Sequence, residues 1–307
     1  MWYCGWDGGG TKTEVCITNE KGSILAERIF GPLNPNGTDI GKVRETVREA
    51  VELMCAQPGS LEACGGLVIG VAGMSSLNTA AVLKEALRAA GWNGRYCMMG
   101  DHEIALAGAI EGYGAILIAG TGAVCYGRDP DGKCFRIGGY GYLIDDVGSG
   151  YAIGRDILSA VVRAADGRED ATLLMHLVAD RLGTEKGDMQ ALVTWLYAPE
   201  TGKKEIAALA SLLPEALDAG DAAAGRIAEK AAEELAELVL TGWKTTGMRD
   251  GELAFAGSIL QKILRIRDSV ERRIHECFPE IQIMDPLSTP ARGAARLARE
   301  KFSGAED

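Results

Sequence analysis

The sequence predicts an α/β protein made of two like-folded halves, with an added helical region in the second. Three observations predict it. Short apolar runs with strand periodicity, at residues 2–6, 14–18, 67–71, 115–119 and 252–256, alternate with segments of helical spacing. An apolar strand, a Gly-Thr turn, a strand carrying Val-Cys and an acidic turn ending in Gly occur twice in the same order, around Val15-Cys16 with Gly22 and around Val124-Cys125 with Gly132. Residues 170–248 read as helix throughout, rich in Ala, Leu and Glu and broken only by turn signals such as Gly183, Pro199 with Gly202, and Gly220.

Composition narrows the function. A chain of 307 residues accommodates two domains, and 47% hydrophobic with 24% charged residues is enough for full cores. A formal net charge of −11 excludes a nucleic-acid surface, which would cluster Lys and Arg, and points to a small substrate. Eight cysteines without a C-x-x-C pair read as reduced core thiols and predict a cytoplasmic protein. No basic region precedes Asp7, so no signal peptide is expected. Residues 63–83 carry no charge, but Gly65, Gly66, Gly70, Gly73, Ser75, Ser76 and Asn78 interrupt them, which predicts strand, loop and helix start instead of a membrane span.

Trp2, Tyr3, Cys4 and Trp6 form a buried strand that leads into Asp7-Gly8-Gly9-Gly10-Thr11-Lys12-Thr13, and a second strand follows at 14–18. The glycines therefore form a hairpin turn whose backbone N–H groups can approach an anion closely. Thr11 and Thr13 add hydroxyls, Lys12 a positive charge, and Asp7 a carboxylate that can hold a cation through water. A P-loop is excluded because a strand, not a helix, follows the glycines. The turn 19–22 leads to a third strand at 23–30. In the stiff loop 31–37, Asn34 and Asn36 either meet a hydroxyl-rich ligand or make turn hydrogen bonds. A helix at 41–55, with Val43, Val47 and Val51 on one face, precedes the central strand 67–71, the loop Gly73-Met74-Ser75 and a helix at 78–90. The strand 95–99 ends in Gly100-Asp101, where an open α/β sheet keeps its active site, so Asp101 either takes a proton from an attacking hydroxyl or caps the helix 103–111.

The second half opens with the strand 115–119, the turn Gly120-Thr121-Gly122, and a strand through Tyr126. The duplication implies two phosphate loops facing each other across a cleft, each holding part of one nucleotide triphosphate. In residues 138–151, glycines and three tyrosines surround Asp145 and Asp146, a combination that suits a sugar because its C–H face stacks and its hydroxyls donate to carboxylates. A helix at 152–165 follows. The helical stretch beyond it offers no catalytic grouping, and His176 and His275 stand apart from any metal-binding partner. A strand at 252–256 ends in Gly257-Ser258, a third glycine turn, before a helix at 259–277, a strand at 281–284 and a last helix at 290–301.

In this order, Asp-Gly-Gly-Gly-Thr-Lys-Thr, Gly-Asp, Ala-Gly-Thr-Gly, Gly-Gly-Tyr-Gly with Asp-Val-Gly-Ser-Gly-Tyr, and Ala-Gly-Ser, the chain resembles the N-acetylglucosamine kinases and the related BadF/BadG/BcrA/BcrD-type ATPases of the actin, sugar kinase and Hsp70 superfamily. The resemblance implies two ribonuclease H-like, actin-like ATPase domains around a nucleotide cleft, at 1–108 plus 290–307 and at 109–289. It implies transfer of the γ-phosphoryl group of ATP, with Mg²⁺, to a hydroxyl of an amino sugar such as N-acetylglucosamine or glucosamine, and a homodimer. By the same resemblance, Gly9, Gly10, Thr11, Lys12 and Thr13 are the first phosphate loop with Asp7 near the metal, and Gly120, Thr121 and Gly122 are the second. Gly257 and Ser258 are the adenosine loop, Asp101 is the catalytic base, and Asn34 or Asn36, Tyr140, Gly141 and Asp146 are sugar contacts. Tyr140 stands where the family often has Trp. Asp145 and Val147 depart from its Gly-Asp-Glu-Gly-Ser pattern, and the extra carboxylate of Asp145 favours a free amine over an acetamide. An activator ATPase of the dehydratase type would need cluster-binding cysteines at a subunit interface, and Cys125 and Cys134 do not stand where those activators place theirs. A non-catalytic sugar sensor would have a damaged site, whereas Asp7 and Asp101 are both present.

Overall fold

In the computed structural model, which describes residues 1–36, 38–71, 74 and 77–303, the chain separates into two compact units, Met1–Glu111 with Pro286–Asp307, and Gly112–Asp285. Of the loop residues named above, Gly37, Gly73, Ser75 and Ser76 lie outside the described residues.

The first unit opens with three strands, β1 (Trp2–Gly8), β2 (Thr13–Asn19) and β3 (Ile24–Phe30). Helix α1 (Ile40–Cys55), β4 (Cys64–Val71), α2 (Leu77–Ala89), β5 (Tyr96–Gly100) and α3 (Asp101–Ala109) follow. The sheet order is β3-β2-β1-β4-β5, antiparallel through the first three and parallel across β1, β4 and β5. The strands β1 and β4 are buried on both faces, so they read as continuous apolar runs. The strand period of two sorts their side chains: Trp2, Cys4, Trp6, Leu67 and Ile69 pack with Val43, Val47, Met54, Leu83 and Leu87 of α1 and α2. Tyr3 and Val68 face the other way, toward Ile104 of α3 and Ala294 and Ala298 of the C-terminal helix.

The second unit contains β6 (Gly114–Ala119), β7 (Ala123–Arg128) and β8 (Cys134–Gly138). Six helices come next: α4 (Gly150–Ala165), α5 (Leu174–Leu182), α6 (Met189–Leu196), α7 (Lys203–Ala208), α8 (Leu213–Asp218) and α9 (Ala222–Thr246). The unit closes with β9 (Asp250–Ala256), α10 (Ser258–Lys262), α11 (Leu264–Cys277) and β10 (Glu280–Met284), after which α12 (Pro290–Phe302) joins the first unit. The sheet order β10-β9-β6-β7-β8 repeats that of the first unit strand for strand, with the same senses of pairing. The internal duplication read from the Gly-Thr turns is thus a duplication of topology, and both sheets have the ribonuclease H-like arrangement. The Ala-rich α9 begins at Asp221, whose carboxylate accepts the Ala224 N–H at 2.9 Å, and ends at Gly247 in the left-handed conformation (φ 75°). Its small side chains Ala224, Ala228, Ala231 and Ala232 lie buried against the rest of the unit's core, which is why so polar-looking a helix packs centrally.

Of the boundaries that differ from the sequence reading, two have a structural reason. The helix expected over 259–277 divides at Ile263, whose backbone (φ −111°, ψ 79°) leaves the helix while its side chain stays buried, and neither Gly nor Pro marks the break. Helix α3 starts at Asp101, not at Glu103, because Glu103 reaches back to accept the Gly100 N–H at 2.8 Å.

Helix α12 lies so close to β1 that a Cβ on Gly5 would stand 2.1 Å from the Ala295 backbone nitrogen. Gly5→Ala is therefore expected to lower the unfolding free energy by about 3 kcal/mol or more, because backbone, not a flexible side chain, must move. Urea unfolding followed by fluorescence checks this, and a loss below about 0.5 kcal/mol, the scale of a neutral surface change, would refute the close packing.

Candidate active site

In the first unit, β1 and β2 pair as far as Gly8 opposite Thr13, and the intervening turn closes with the Gly9 N–H donating to the Lys12 carbonyl at 2.9 Å. Gly10, Thr11 and Lys12 are exposed, and open space surrounds the position of a Cβ on Gly10. The Gly9 carbonyl accepts the N–H groups of Leu33 (3.0 Å) and Asn34 (3.1 Å), so the Asn34–Asn36 loop is tied to the glycine turn. Thr13 corrects the sequence reading: its hydroxyl donates to the Gly31 carbonyl at 2.7 Å and the residue is fully buried, so it pins the loop and offers no hydroxyl to a ligand. The Asn34 side-chain oxygen accepts the Asn36 N–H at 2.9 Å, and the Asn36 amide donates to the Thr79 hydroxyl at 3.4 Å. Both amides sit beside the glycine turn with partners inside the unit.

Parallel pairing aligns the ends of three strands. Asp7 lies opposite Gly70, and Val71 opposite Gly100, so Asp7 and Asp101 share one end of the sheet. Burial, then the Asp101 and Glu14 carboxylates, push the Asp7 carboxyl up to about 6, against a weaker pull from Lys12. Asp101 is half exposed, and the His102 imidazole 3.4 Å away holds its carboxyl below the usual carboxylate range. With Glu103 serving the helix start, Asp101 is not needed as a cap and remains an ionised acceptor at neutral pH. The under-compensated charge around Asp7 suits a divalent cation, which keeps several waters and needs only one or two carboxylates.

In the second unit the Gly120 N–H donates to the Gly122 carbonyl (2.9 Å), and the Gly150 N–H donates to the Gly120 carbonyl (2.7 Å). Gly257, at φ 90°, would place a Cβ 2.3 Å from the Ala119 carbonyl oxygen, so only glycine fits where β9 turns beside β6. These two turns meet at a cavity of about 390 Å³, lined by Gly120, Thr121, Gly150 and Ser258. The rest of its wall is apolar (Ala207, Ala208, Pro214, Ile259, Ile263) except for Lys204, Lys262 and Ser211. Such a wall suits a planar base, and the two ammonium groups suit phosphates. The helical stretch, which offers no catalytic grouping, supplies α7 and the segment after it as one side of the cavity. No spacing signal announces Lys204 or Ser211 in an Ala-rich amphipathic run, and Ile263, at the break between α10 and α11, lines the cavity as well.

The segment 139–149 is held from several sides. The Arg136 guanidinium lies 4.8 Å from the centre of the exposed Tyr140 ring, and Gly141 has φ 103°. The Tyr140 N–H donates to Asp145 at 3.0 Å, so the carboxylate expected to favour a free amine is engaged within the loop. Asp146, expected as a sugar contact, has its partners within the second unit. It is 4% exposed, has φ 59°, and accepts from Lys203 Nζ at 2.7 Å and from the Ala123 N–H at 3.4 Å, so it faces the Gly120–Gly122 turn. Cys125 is fully buried with its thiol pushed up to about 12 by burial, which unsuits it as a cluster ligand at a surface.

The sequence pattern of the BadF/BadG/BcrA/BcrD ATPase family matches residues 4–298. The chain is 33% identical over 301 residues to the N-acetylmuramic acid/N-acetylglucosamine kinase of Clostridium acetobutylicum, covering 97% of this chain and 98% of that protein. It is 28% identical over 311 residues to the N-acetyl-D-glucosamine kinase of Dictyostelium discoideum, covering 96% and 97%. Among solved structures, a proposed N-acetylglucosamine kinase of Chromobacterium violaceum superposes with a TM-score of 0.78 at 25% identity, covering 97% of this chain and 98% of that one.

The raised Asp7 carboxyl makes stability depend on pH with a definite sign. The folded state binds this proton more tightly than the unfolded chain, so the contribution is full below about pH 4 and is lost as pH rises through about 6. At pH 8, Asp7→Asn is therefore expected to stabilise the protein by up to about 3 kcal/mol, and the gain should vanish toward pH 4. Calorimetric midpoints at both pH values check this; an equal shift at the two would show that buried charge is not the cause.

Proposed function

The chain belongs to the BadF/BadG/BcrA/BcrD ATPase family, and from that membership we propose that it is an ATP-dependent kinase phosphorylating a hydroxyl of an amino sugar, N-acetylglucosamine or glucosamine. The observation that carries the reading is Asp101, an ionised, half-exposed carboxylate at the carboxyl end of β5 that its helix does not use as a cap. Family membership implies the use of ATP, and the substrates named for the Clostridium acetobutylicum and Dictyostelium discoideum relatives supply the amino-sugar class.

In this reading the second unit binds the nucleotide. Ser258, Ile259, Ile263 and Pro214 surround the adenosine, while the Gly120–Thr121 backbone, Lys204 and Lys262 meet the phosphates. The first unit supplies the turn Gly9–Lys12 for the transferred group and Asp101 for the acceptor. Asp101 orients the sugar hydroxyl and takes its proton as the sugar oxygen bonds to the γ-phosphorus. The bond from that phosphorus to the β–γ bridging oxygen breaks in the same step, and ADP leaves. Among the described residues no group of three or more His, Cys, Asp and Glu side chains forms a metal cage. Asp7 would thus hold Mg²⁺ through water together with the phosphates, and the cation would neutralise charge on the transferred group. Asn34 or Asn36, with Tyr140, Gly141 and Asp146, would hold the sugar. No helix among the described residues is long and apolar enough to cross a membrane, and all eight cysteines are free thiols, which supports a reducing compartment, the cytoplasm.

Removing a general base lowers turnover by about 10²–10⁴-fold, so Asp101→Asn is expected to lose that much kcat while keeping its affinity for ATP. ADP release is measured with N-acetylglucosamine, glucosamine, N-acetylmuramic acid, glucose and no sugar. The expected outcome is an amino-sugar-dependent rate in wild type that the variant lacks; equal ADP release in every tube would refute the assignment.

A further inference from the structure

The glycine-rich segment that carries Tyr140, Gly141 and Asp146 is gripped through its backbone by a carboxylate from a distant helix. Glu234 of α9 accepts the Gly148 N–H at Oε2, 2.8 Å away, from 86 positions further along the chain. Gly148 has φ 67°, and a Cβ there would stand 2.5 Å from Leu235 Cγ and 2.8 Å from the Ala231 carbonyl oxygen, so bare backbone is seated directly on α9. Beyond Gly148 the chain is secured independently. The Ser149 hydroxyl accepts the Ala152 N–H at 3.3 Å at the start of α4, and the Gly150 N–H donates to the Gly120 carbonyl. Before Gly148, residues 140–145 bond chiefly to one another: the Tyr140 N–H donates to Asp145, and the Ile144 and Asp145 N–H groups donate to the Gly141 carbonyl. Tyr140, Leu143 and Ile144 are 66%, 81% and 84% exposed, so little packing holds this stretch. Its other ties are the Arg136 guanidinium, which donates to the Gly138 and Gly139 carbonyls, and the Asp146 side chain, which accepts from Lys203 and the Ala123 N–H.

We propose that Glu234 is a positioning residue for the sugar: by holding the Gly148 N–H it fixes the far end of the 140–147 stretch and presents Tyr140, Gly141 and Asp146 in one arrangement. A carboxylate accepting a backbone N–H makes a stronger bond than a neutral pair, and an N–H left without a partner is costly. Without the hold, the stretch samples several arrangements, and the sugar's apparent affinity falls in proportion to the fraction that is competent. Glu234 grips backbone and not the Asp146 side chain, so the hold persists when that carboxylate turns to a sugar hydroxyl. Lys230 Nζ lies 4.0 Å from Glu234 but 2.7 Å from Asp156, so the Gly148 N–H is the closer of these two partners of Glu234. Glu234 acts through Gly148 and need not touch the sugar. The inference rests on the kinase reading for what the segment binds.

The test is steady-state kinetics of the intact chain with ATP, Mg²⁺ and N-acetylglucosamine or glucosamine, for wild type, Glu234→Met, Glu234→Gln and Lys230→Met. Thermal midpoints and amide hydrogen exchange of residues 139–149 are measured in parallel. Glu234→Met is expected to raise the sugar KM by about tenfold, as a competent fraction near one tenth would, with kcat and the ATP KM within about threefold of wild type. Glu234→Gln keeps an acceptor oxygen and should retain the wild-type sugar KM within about threefold. Lys230→Met, which removes the neighbouring exposed ion pairs but not the hold, should do the same. Wild-type sugar KM in Glu234→Met, with only its midpoint lowered, would overturn the inference and leave a structural hydrogen bond. Equal losses in sugar KM, ATP KM and kcat would overturn it too, since they mark general loosening. If wild type phosphorylates neither sugar, the kinase reading fails. The hold itself then stands or falls on whether exchange of residues 139–149 quickens in Glu234→Met and not in Lys230→Met.

Discussion

Parallel pairing at the centre of each sheet is the constraint on which the rest depends. Because β1, β4 and β5 run in one direction, their carboxyl ends coincide, and whatever follows each strand is delivered to one place. Asp7 and Asp101, far apart in the chain, are brought to the same sheet end with enough proximity for each to feel the other's charge. The second unit repeats the device: β6 and β9 run parallel, and the turns after them, Gly120–Gly122 and Gly257–Ser258, meet at one cavity. A parallel sheet must be covered on both faces. The helices are therefore fixed above and below it, and the strand ends are the edge left open to a ligand.

Each unit then meets the same electrostatic problem in a different way. In the first, the Asp7 carboxylate is buried close to two others with only Lys12 in opposition, an arrangement unfavourable on its own and suited to a cation. In the second, Asp146 is still more enclosed but carries its counter-charge with it in Lys203. The contrast separates a carboxylate that burial and its neighbours leave under-compensated from one paired within its unit. Thr13 belongs to the latter kind, since its hydroxyl binds the loop carrying Asn34 and Asn36 to the glycine turn.

Much of the layout of the candidate site was legible before folding because its signals are local. Runs of glycine after an apolar strand report a backbone that approaches something closely, and the recurrence of the Gly-Thr turn reported the repeated sheet. The Asp101 address followed from strand and helix periodicity alone. The Lys203 partner of Asp146, by contrast, stands 57 positions further along, in a helix with no unusual composition, and no local signal announces it. The same limit hid Lys204 and Ser211. The break at Ile263 was illegible for a related reason: no residue there disfavours helix, and burial of the Ile263 side chain, not propensity, accompanies the turn of the backbone.

By itself the sequence determined the two-half α/β plan, the three glycine turns, the strands they follow and the carboxylates at two of the strand ends. These depend on backbone sterics and on side-chain period, which act over a few residues. Only the tertiary structure decided which polar groups stay open to solvent and which face one another. Asp146 with Lys203, Thr13 with Gly31 and Asp145 with the Tyr140 N–H all became internal pairs, while Asp101 stayed open because Glu103 served the helix start. A buried polar group must find a partner wherever the fold supplies one, and most of these partners come from distant segments or from loop geometry that no short-range spacing encodes.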